Sequence, residues 1–514
     1  MRSLAEVVDA RARRSPDALA FAAGDAHMTW SAYARRSDRF AARLAALELA
    51  PRERVAVLLP DGPAVHAAWV GIEKAGLVGV GIGPRAGAAE LRHLLAVSGA
   101  QALVALARHR EIDLRAFAEE LRAEGLPLRH HVVVEDERLE DGPAFDAAIA
   151  ARRVAPDEPF LLNSTSGTTG MPKCVVHDQA RWFRFHELAV EAAELRRSDV
   201  FLSAIPAPFG FGIWTAHVTP ALLGAPTVVL PRFDAEALCE AIERHRVTVL
   251  AAVTTQFILM LDSPAFERCD LSSLRVLFTG GEAVPFERAA EFERRSSARV
   301  LQFYGSNETG ALSRTTLRDP PERRLRSAGR AIESMHVRLF DEEGRDATAS
   351  GRGQPGCRGP LLSRGYWNDA EANRALYTRD GWMLTGDVAT LDAEGWLCVV
   401  GRRGDFIIRG GKNVSAPAVE AEVQTHPSVA LAAAVAMPDP TFGERVCVYA
   451  VLRAGRSLEL AALVEHLRRR GASPENLPER LVVVDELPRA SGGKIAKAAL
   501  REDIAERLSR EAQP

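Results

Sequence analysis

Long apolar runs are missing from this chain of 514 residues: none approaches the roughly 20 uninterrupted apolar residues that span a bilayer. The N-terminal stretch mixes Asp and Glu into its arginines and has no apolar signal core, so no secretory leader is expected. Cysteine is scarce, at six scattered positions (Cys174, Cys239, Cys269, Cys357, Cys398, Cys447) with no CxxC pair and no His cluster beside them. That argues against a disulfide framework or a structural zinc site. An excess of one charge is absent too. With 65 basic and 68 acidic residues the formal charge is −3, which supplies no global field for nucleic acid or an anionic membrane. These absences predict a cytoplasmic protein with no membrane span and no nucleic-acid partner. Arg468-Arg469-Arg470 reads as the solvated end of a helix, and His130-His131, before the apolar Val132-Val133-Val134, as a strand edge in preference to a metal site.

What is present is a globular composition, 47% hydrophobic and 26% charged, in a chain too long for one ordinary core. Strand-like runs at 54–59, 77–82 and 102–104 alternate with helical patterns at 64–76 and 88–98, which predicts parallel α/β layers. After about residue 395 the texture changes. Strands at 395–400 and 405–409 flank the turn Gly401-Arg402-Arg403-Gly404. A helix follows at 416–425, then strands at 429–436 and 445–452, a helix at 458–470 and a strand at 480–484. The fold class is therefore α/β, with a large N-terminal part (1–403) and a small α+β C-terminal domain (404–514) linked near 402–405.

Four segments carry chemistry. The first, Ser164-Thr165-Ser166-Gly167-Thr168-Thr169-Gly170-Met171-Pro172-Lys173, follows the apolar Phe160-Leu161-Leu162. Glycines let backbone N–H groups turn inward, hydroxyls add donors and the lysine adds charge, as wrapping a polyphosphate requires. Cys174 after the lysine rules out a Walker A loop, and a Ser/Gly surface loop has the same composition. The second is a strand–helix–strand unit with its helix at 286–296. Its strands, at 274–278 and 300–303, end in Thr279-Gly280-Gly281-Glu282 and in Tyr304-Gly305-Ser306-Asn307-Glu308-Thr309-Gly310. Two such ends suggest one shared nucleotide site. Tyr304 offers a flat face to a base, and Glu308 either a hard oxygen to Mg²⁺ or a helix-terminal carboxylate. In the third, Thr385-Gly386-Asp387, the carboxylate suits ribose hydroxyls or caps a turn. The fourth, Pro488-Arg489-Ala490-Ser491-Gly492-Gly493-Lys494-Ile495, puts a lysine on a Gly/Ser loop, where it could bring charge to a reacting carboxylate and phosphate or simply be exposed.

In this order, and with Lys74-Ala75-Gly76-Leu77-Val78-Gly79-Val80 ahead of them, these segments resemble the adenylate-forming superfamily of acyl-CoA synthetases, peptide-synthetase adenylation domains and beetle luciferases. The resemblance spans nearly the whole chain. It implies a mobile C-terminal domain with the active site beneath it, and ATP and Mg²⁺ as requirements. The loop from Thr165 to Lys173 would hold the β- and γ-phosphates. Tyr304 would stack on adenine, with Gly281, Glu282 and Ala283 along its edge; Gly305, Ser306 and Asn307 would also bind the nucleotide, Asn307 through a hydrogen bond to phosphate. Glu308 would bind Mg²⁺, Asp387 the ribose, Arg402 the ribose or a phosphate, and Lys494 would bridge carboxylate and α-phosphate. The implied reaction is activation of a carboxylic acid to an acyl-adenylate with release of pyrophosphate, then transfer to coenzyme A. A carrier-protein phosphopantetheine as acceptor, or a luciferase-like oxygenation, is the alternative.

Three positions depart from the family pattern. Asn307 replaces the usual Thr before the metal carboxylate, Gly404 the usual hinge Asp or Lys, and Phe209 a gate that is often histidine. Amino-acid-activating relatives place an Asp just after that gate, where the sequence has Phe211. Without that counter-charge an α-amino group is disfavoured. Phe209, Phe211, Thr215 and Phe303 predict an apolar pocket for an aromatic, alicyclic or medium-chain acid.

Overall fold

A computed structural model of the chain describes residues 2–134, 145–165, 171–409, 412–490 and 494–511. Two mainly parallel sheets form the large N-terminal domain. One runs in the order Cys174–Asp178, Pro159–Ser164, Val78–Gly81, Arg54–Leu58, Ala102–Ala105, His130–Val133, with only the first strand antiparallel to its neighbour. His130 and His131 thus lie on the sheet's edge strand. The other sheet carries Thr227–Val229, Phe201–Ser203, Val249–Ala251, Val276–Thr279 and Arg299–Ser306 side by side and parallel. The helices expected at 64–76 and 88–98 are Pro63–Lys74 and Ala88–Ser98, the latter ending on Gly99 in a left-handed turn. Val, Ile, Leu and Phe from both sheets and from the helix Gln179–Ala193 fill one continuous core between them.

A third, antiparallel sheet holds Val337–Phe340, Arg352–Cys357, Asp387–Leu391 and Leu397–Arg402. The strand expected at 395–400 therefore pairs backward with Asp387–Leu391. It makes no pair with Phe406–Arg409, which opens the fourth sheet with Lys412–Ser415, Gly443–Leu452, Val429–Asp439 and Arg480–Val483. Between them the chain makes a single short turn, Arg403–Asp405. The helices Ala416–Val423, Leu460–Arg469 and Lys497–Glu511 complete the small C-terminal domain. Leu431, Val435, Leu487 and Ile504 pack into the same buried cluster as Phe257, Leu261 and Phe292, and Arg453 reaches Asp262 at 2.9 Å. Among the described residues no helix is long and apolar enough to cross a membrane.

One boundary differs from the sequence expectation in a way that matters for the site. The strand expected to end at 303 continues to Ser306 and folds back through a tight turn onto Gly310–Arg314. Ser306 Oγ accepts the N–H groups of Glu308 and Thr309, and Thr309 Oγ1 accepts that of Ser306. Those side chains stand in for backbone partners and close the turn. No helix follows Glu308, which removes the helix-terminal explanation of its carboxylate.

Candidate active site

At the carboxyl ends of the neighbouring strands Val276–Thr279 and Arg299–Ser306, polar side chains from four segments converge. Gly281 has φ +77°, and a Cβ there would stand 3.1 Å from Lys494 Nζ, so the position needs glycine twice over. On either side of the lysine motif, Ala490 N–H bonds Lys494 O (2.8 Å) and Ala496 N–H bonds Pro488 O (2.8 Å). Burial pushes the Lys494 ammonium below its usual range, against the opposing fields of Glu282, Asp387 and Glu308. Tyr304 donates its hydroxyl to Asp387 Oδ2 at 2.6 Å, and Arg402 lies 3.9 Å from the other oxygen of that carboxylate. Burial raises the Asp387 carboxyl, while Tyr304, Arg402 and Lys494 draw it down. Glu282 is held by the backbone N–H of Thr255 at 3.0 Å and by its hydroxyl, whereas Ala283 is exposed.

Glu308 occupies the other side of this site. Its Oε1 accepts the hydroxyl of Tyr366 at 2.7 Å, and Lys173 Nζ lies 5.5 Å from the centre of the Tyr366 ring. Tyr366 is positioned by a short edge pairing: Val176 N–H to Gly365 O (2.9 Å) and Trp367 N–H to Cys174 O (2.8 Å) attach its segment beside Cys174–Asp178. Thr165 and Lys173 close the foot of the Ser/Thr/Gly loop, through Thr165 N–H to Lys173 O (2.9 Å) and Lys173 N–H to Thr165 Oγ1 (3.0 Å). Ser166, Gly167, Thr168, Thr169 and Gly170 lie outside the described residues. Gly305 and Ser306 are half-buried in the strand end beneath Glu308. The side-chain oxygen of Asn307 turns inward and accepts Asn163 Nδ2 at 3.3 Å.

The expected acid-pocket residues are buried or half-buried. Phe209 and Phe303 are buried, and Phe211 is half-buried. Thr215 is buried too, its hydroxyl bonded to Phe211 O at 2.8 Å. The segment beyond the gate winds as a π-helix, Ile213–Val218, a rare form whose wider turn is frequent at functional sites. Its Trp214 lies against Phe185 (5.0 Å), Phe211 (5.4 Å, stacked), Phe278 (5.0 Å) and Phe303 (4.8 Å).

Several residues here had no sequence signal of their own. Tyr366 sits in Ser363-Arg364-Gly365-Tyr366-Trp367, a stretch without helical or strand period whose partner Glu308 is 58 residues away. Trp214 of the π-helix belongs to no sequence motif. Arg181, on the buried face of a helix capped by Asp178, is indistinguishable in sequence from the exposed Arg184 three residues on. Burial lowers its guanidinium to about 10.

The family model described as AMP-binding enzyme matches residues 8–367, and that of the AMP-binding enzyme C-terminal domain matches residues 418–494. The chain belongs to the AMP-binding enzyme family. It is 32% identical over 509 residues to the indoleacetate–CoA ligase of Aromatoleum aromaticum, covering 98% of each chain. It is 34% identical over 522 residues to the salicyl-AMP ligase / salicyl-S-ArCP synthetase of Mycobacterium tuberculosis, covering 97% of this chain and 90% of that one. Among solved structures, the anthranilate CoA ligase AuaEII in complex with anthranoyl-AMP shares the fold, with a TM-score of 0.87 at 23% identity and coverage of 99% and 98%. This family membership makes the protein an AMP-forming acid ligase, whose relatives are CoA ligases and adenylating enzymes.

Proposed function

We propose that this enzyme activates an aromatic, alicyclic or medium-chain acid with ATP and passes the acyl group to coenzyme A. The observation that carries the proposal is Lys494 against Gly281, surrounded by Glu282, Asp387 and Glu308. A half-buried cation among carboxylates suits a step in which a carboxylate and a polyphosphate, both anionic, must approach. In that step a carboxylate oxygen attacks the α-phosphorus, the bond to the bridging oxygen breaks and pyrophosphate leaves. Lys494 would offset the charge shared by acid and α-phosphate, mainly by electrostatics and positioning. Asp387 would take the ribose hydroxyls. Tyr304, held edgewise by Asp387, would present its ring to adenine along Gly281 and Ala283, and Arg402 would reach the ribose or a phosphate. Thr165 and Lys173 anchor the loop assigned to the β- and γ-phosphates.

Glu308 suits Mg²⁺ that arrives with the nucleotide. One carboxylate oxygen is taken by Tyr366, and the other has no hydrogen bond among the described residues. That is enough for an ion that draws its remaining ligands from phosphates and water. When bound, Mg²⁺ would neutralise phosphate charge. The acyl-adenylate is then attacked at its carbonyl carbon by a thiol, the carbon–sulfur bond forms and AMP departs.

The small domain, 404–514, would turn about the short Arg403–Asp405 segment between the two half-reactions. Gly404 lies there in open space, and Arg501 of the last helix bonds Gly404 O at 3.1 Å and Asp405 at 2.7 Å. Breaking those contacts would accompany the turn. The acid pocket would be lined by Phe209, Phe211 and Phe303 with Thr215 and Trp214 behind, consistent with aryl acids of the kind named for the relatives. Supply of ATP and coenzyme A fits a cytoplasmic enzyme.

The test is acid-dependent pyrophosphate release with ATP and Mg²⁺ over benzoates, cinnamates, arylacetates, cyclohexanecarboxylate, C4–C12 fatty acids and amino acids, with and without coenzyme A. An acyl-CoA product is expected. Adenylate formed from an acid but never passed to coenzyme A would transfer the proposal to a carrier protein. Silence from every acid would reject it.

A further inference from the structure

Beneath the site runs a closed ring of buried polar groups that the proposed chemistry leaves unused. Arg181, 2% exposed, donates from Nη1 to the backbone oxygen of Asn307 at 2.9 Å and to His177 Nδ1. An arginine only donates, so His177 Nδ1 must accept and its other nitrogen must carry the proton. That nitrogen, Nε2, donates to Asn163 Oδ1 at 2.6 Å, and Asn163 Nδ2 donates to Asn307 Oδ1 at 3.3 Å. Every direction around the ring is fixed by its neighbour. Arg181 Nε also holds Leu361 O at 2.9 Å, just ahead of Ser363, whose N–H binds Glu308 O at 2.7 Å. Among the described residues Arg181 has no carboxylate within ion-pair distance, and its Nη2 has no hydrogen-bond partner. A buried charge is costly even where the fields of Asp178 and Glu308 favour it, and a residue serving packing alone would be apolar.

The ring ties together three elements. Asn163 immediately precedes Ser164 and Thr165 at the root of the phosphate loop, Asn307 immediately precedes Glu308, and Leu361 leads into the segment that presents Tyr366. Its floor touches a fourth, because a Cβ at Gly210 in the gate loop would stand 2.2 Å from Asn307 Oδ1. Threonine, the usual family residue at 307, has no amide oxygen to extend to Asn163, which gives the asparagine a structural reason.

We propose that Arg181, with His177, Asn163 and Asn307, is a positioning brace that sets Glu308 and Tyr366 in register with the phosphate loop, and so tunes metal-nucleotide binding without touching the adenine and ribose groups. The inference rests on the nucleotide site proposed above. It is tested on the full-length chain by calorimetric titration with AMP (no metal) and with MgATP, together with the Mg²⁺ dependence of pyrophosphate release. Arg181→Met is expected to leave the Kd for AMP within about twofold, to weaken MgATP roughly tenfold and to raise the half-saturating Mg²⁺ by a similar factor. Asn307→Thr, which keeps a family residue and serves if Arg181→Met fails to fold, should move the same two quantities in the same direction by less. AMP and MgATP weakened in parallel, or a folded variant with wild-type Mg²⁺ dependence, would overturn the brace while leaving the proposed function intact. A wild-type chain that binds neither nucleotide would overturn both.

Discussion

The nucleotide half and the acid half of this site are built on opposite principles. Around Tyr304, Asp387, Glu308, Tyr366 and Lys494, side chains are fixed by directed hydrogen bonds and opposed charges before any substrate arrives. Around Phe211, Trp214 and Phe303 the groups are aromatic and held by packing. Directed bonds specify one ligand geometry, whereas ring contacts tolerate shape changes at about 0.5–1.5 kcal/mol per pair. On the proposed assignment, the first half would hold one nucleotide geometry, while the second would change its acid with few substitutions. Variants in the two halves should accordingly fail in different ways.

The largest effect is expected at Lys494. Lys494→Ala should lower acid-dependent pyrophosphate release by about 10²–10³-fold, the usual loss when an aimed electrostatic group is removed. Thioester formation from supplied acyl-adenylate should survive, because that step needs no contact between two anions. The wild-type enzyme should also lose adenylation as pH rises through the Lys494 pKa, since the protonated form is the active one. That limb should fall below the ordinary lysine range of about 10.4, because burial disfavours the charge. A pH profile of the adenylation half-reaction alone checks both points, and a limb that persists in Lys494→Ala would assign it elsewhere.

Next come Glu308 and its partner. Glu308→Gln removes the charge proposed to face the metal, and Tyr366→Phe removes only the hydrogen bond to that carboxylate. A hydrogen bond to a charged group contributes about 1.5–3 kcal/mol, so Tyr366→Phe should cost roughly 10–100-fold in kcat/KM for ATP, with Glu308→Gln costing more. Raising Mg²⁺ should restore part of the Tyr366→Phe loss and little of the Glu308→Gln loss. Equal responses to Mg²⁺ would mean that the tyrosine is not acting through the carboxylate.

The acid half should yield more gently. Trp214 packs against rings on several sides, so truncating it would damage the fold before it changed specificity. Phe211 is half-buried and, among the described residues, stacks on Trp214 alone. Phe211→Ala should shift the ranking of acids toward bulkier ones by about 10–200-fold in relative kcat/KM, the range for a change of hydrophobic pocket volume. Its Kd for AMP should stay at the wild-type value. Loss of AMP binding would show that the halves are not separable.

The same contrast explains what could be read from the chain. Alternating strands and helices came through because their periods are local: Ala88–Ser98 and Phe286–Ser296 match expectation to the residue. The residues proposed for the nucleotide stand out in the sequence because glycines, hydroxyls and charges cluster in short runs such as 279–282 and 304–310. Tyr366 and Arg181 do not, because their partners Glu308, Leu361 and Asn307 are far away in sequence. The extension of a strand to Ser306 was hidden for a related reason. Gly305 and Asn307 read as loop residues, and only pairing with Gly310–Arg314 makes them strand and turn. In the acid half, core and pocket aromatics have identical sequence signatures, and burial alone tells Phe303 from Phe211.

The smallest effect expected is on stability, and it tests how the acid half is suspended. Behind the gate loop Asp61 is buried; its Oδ1 has no hydrogen-bond partner among the described residues, while the backbone N–H groups of Ala207 and Gly62 favour its charged form. His66 stands 3.9 Å away and meets His217 of the π-helix at 3.1 Å. Burial raises the Asp61 carboxyl to about 7 from an unfolded value near 3.8. Between those two pH values the folded protein holds the proton more tightly, so stability is fully present below the unfolded pKa and is lost as pH rises toward 7. The amide introduced by Asp61→Asn has no charge to bury at any pH. The Tm of Asp61→Asn relative to wild type should therefore climb by roughly 5 °C between pH 4 and 8 and level off above about pH 7. Scanning calorimetry across that range decides the matter. A flat difference would mean that the two N–H groups hold Asp61 ionised. The acid half would then hang on a buried anion and share the construction of the nucleotide half.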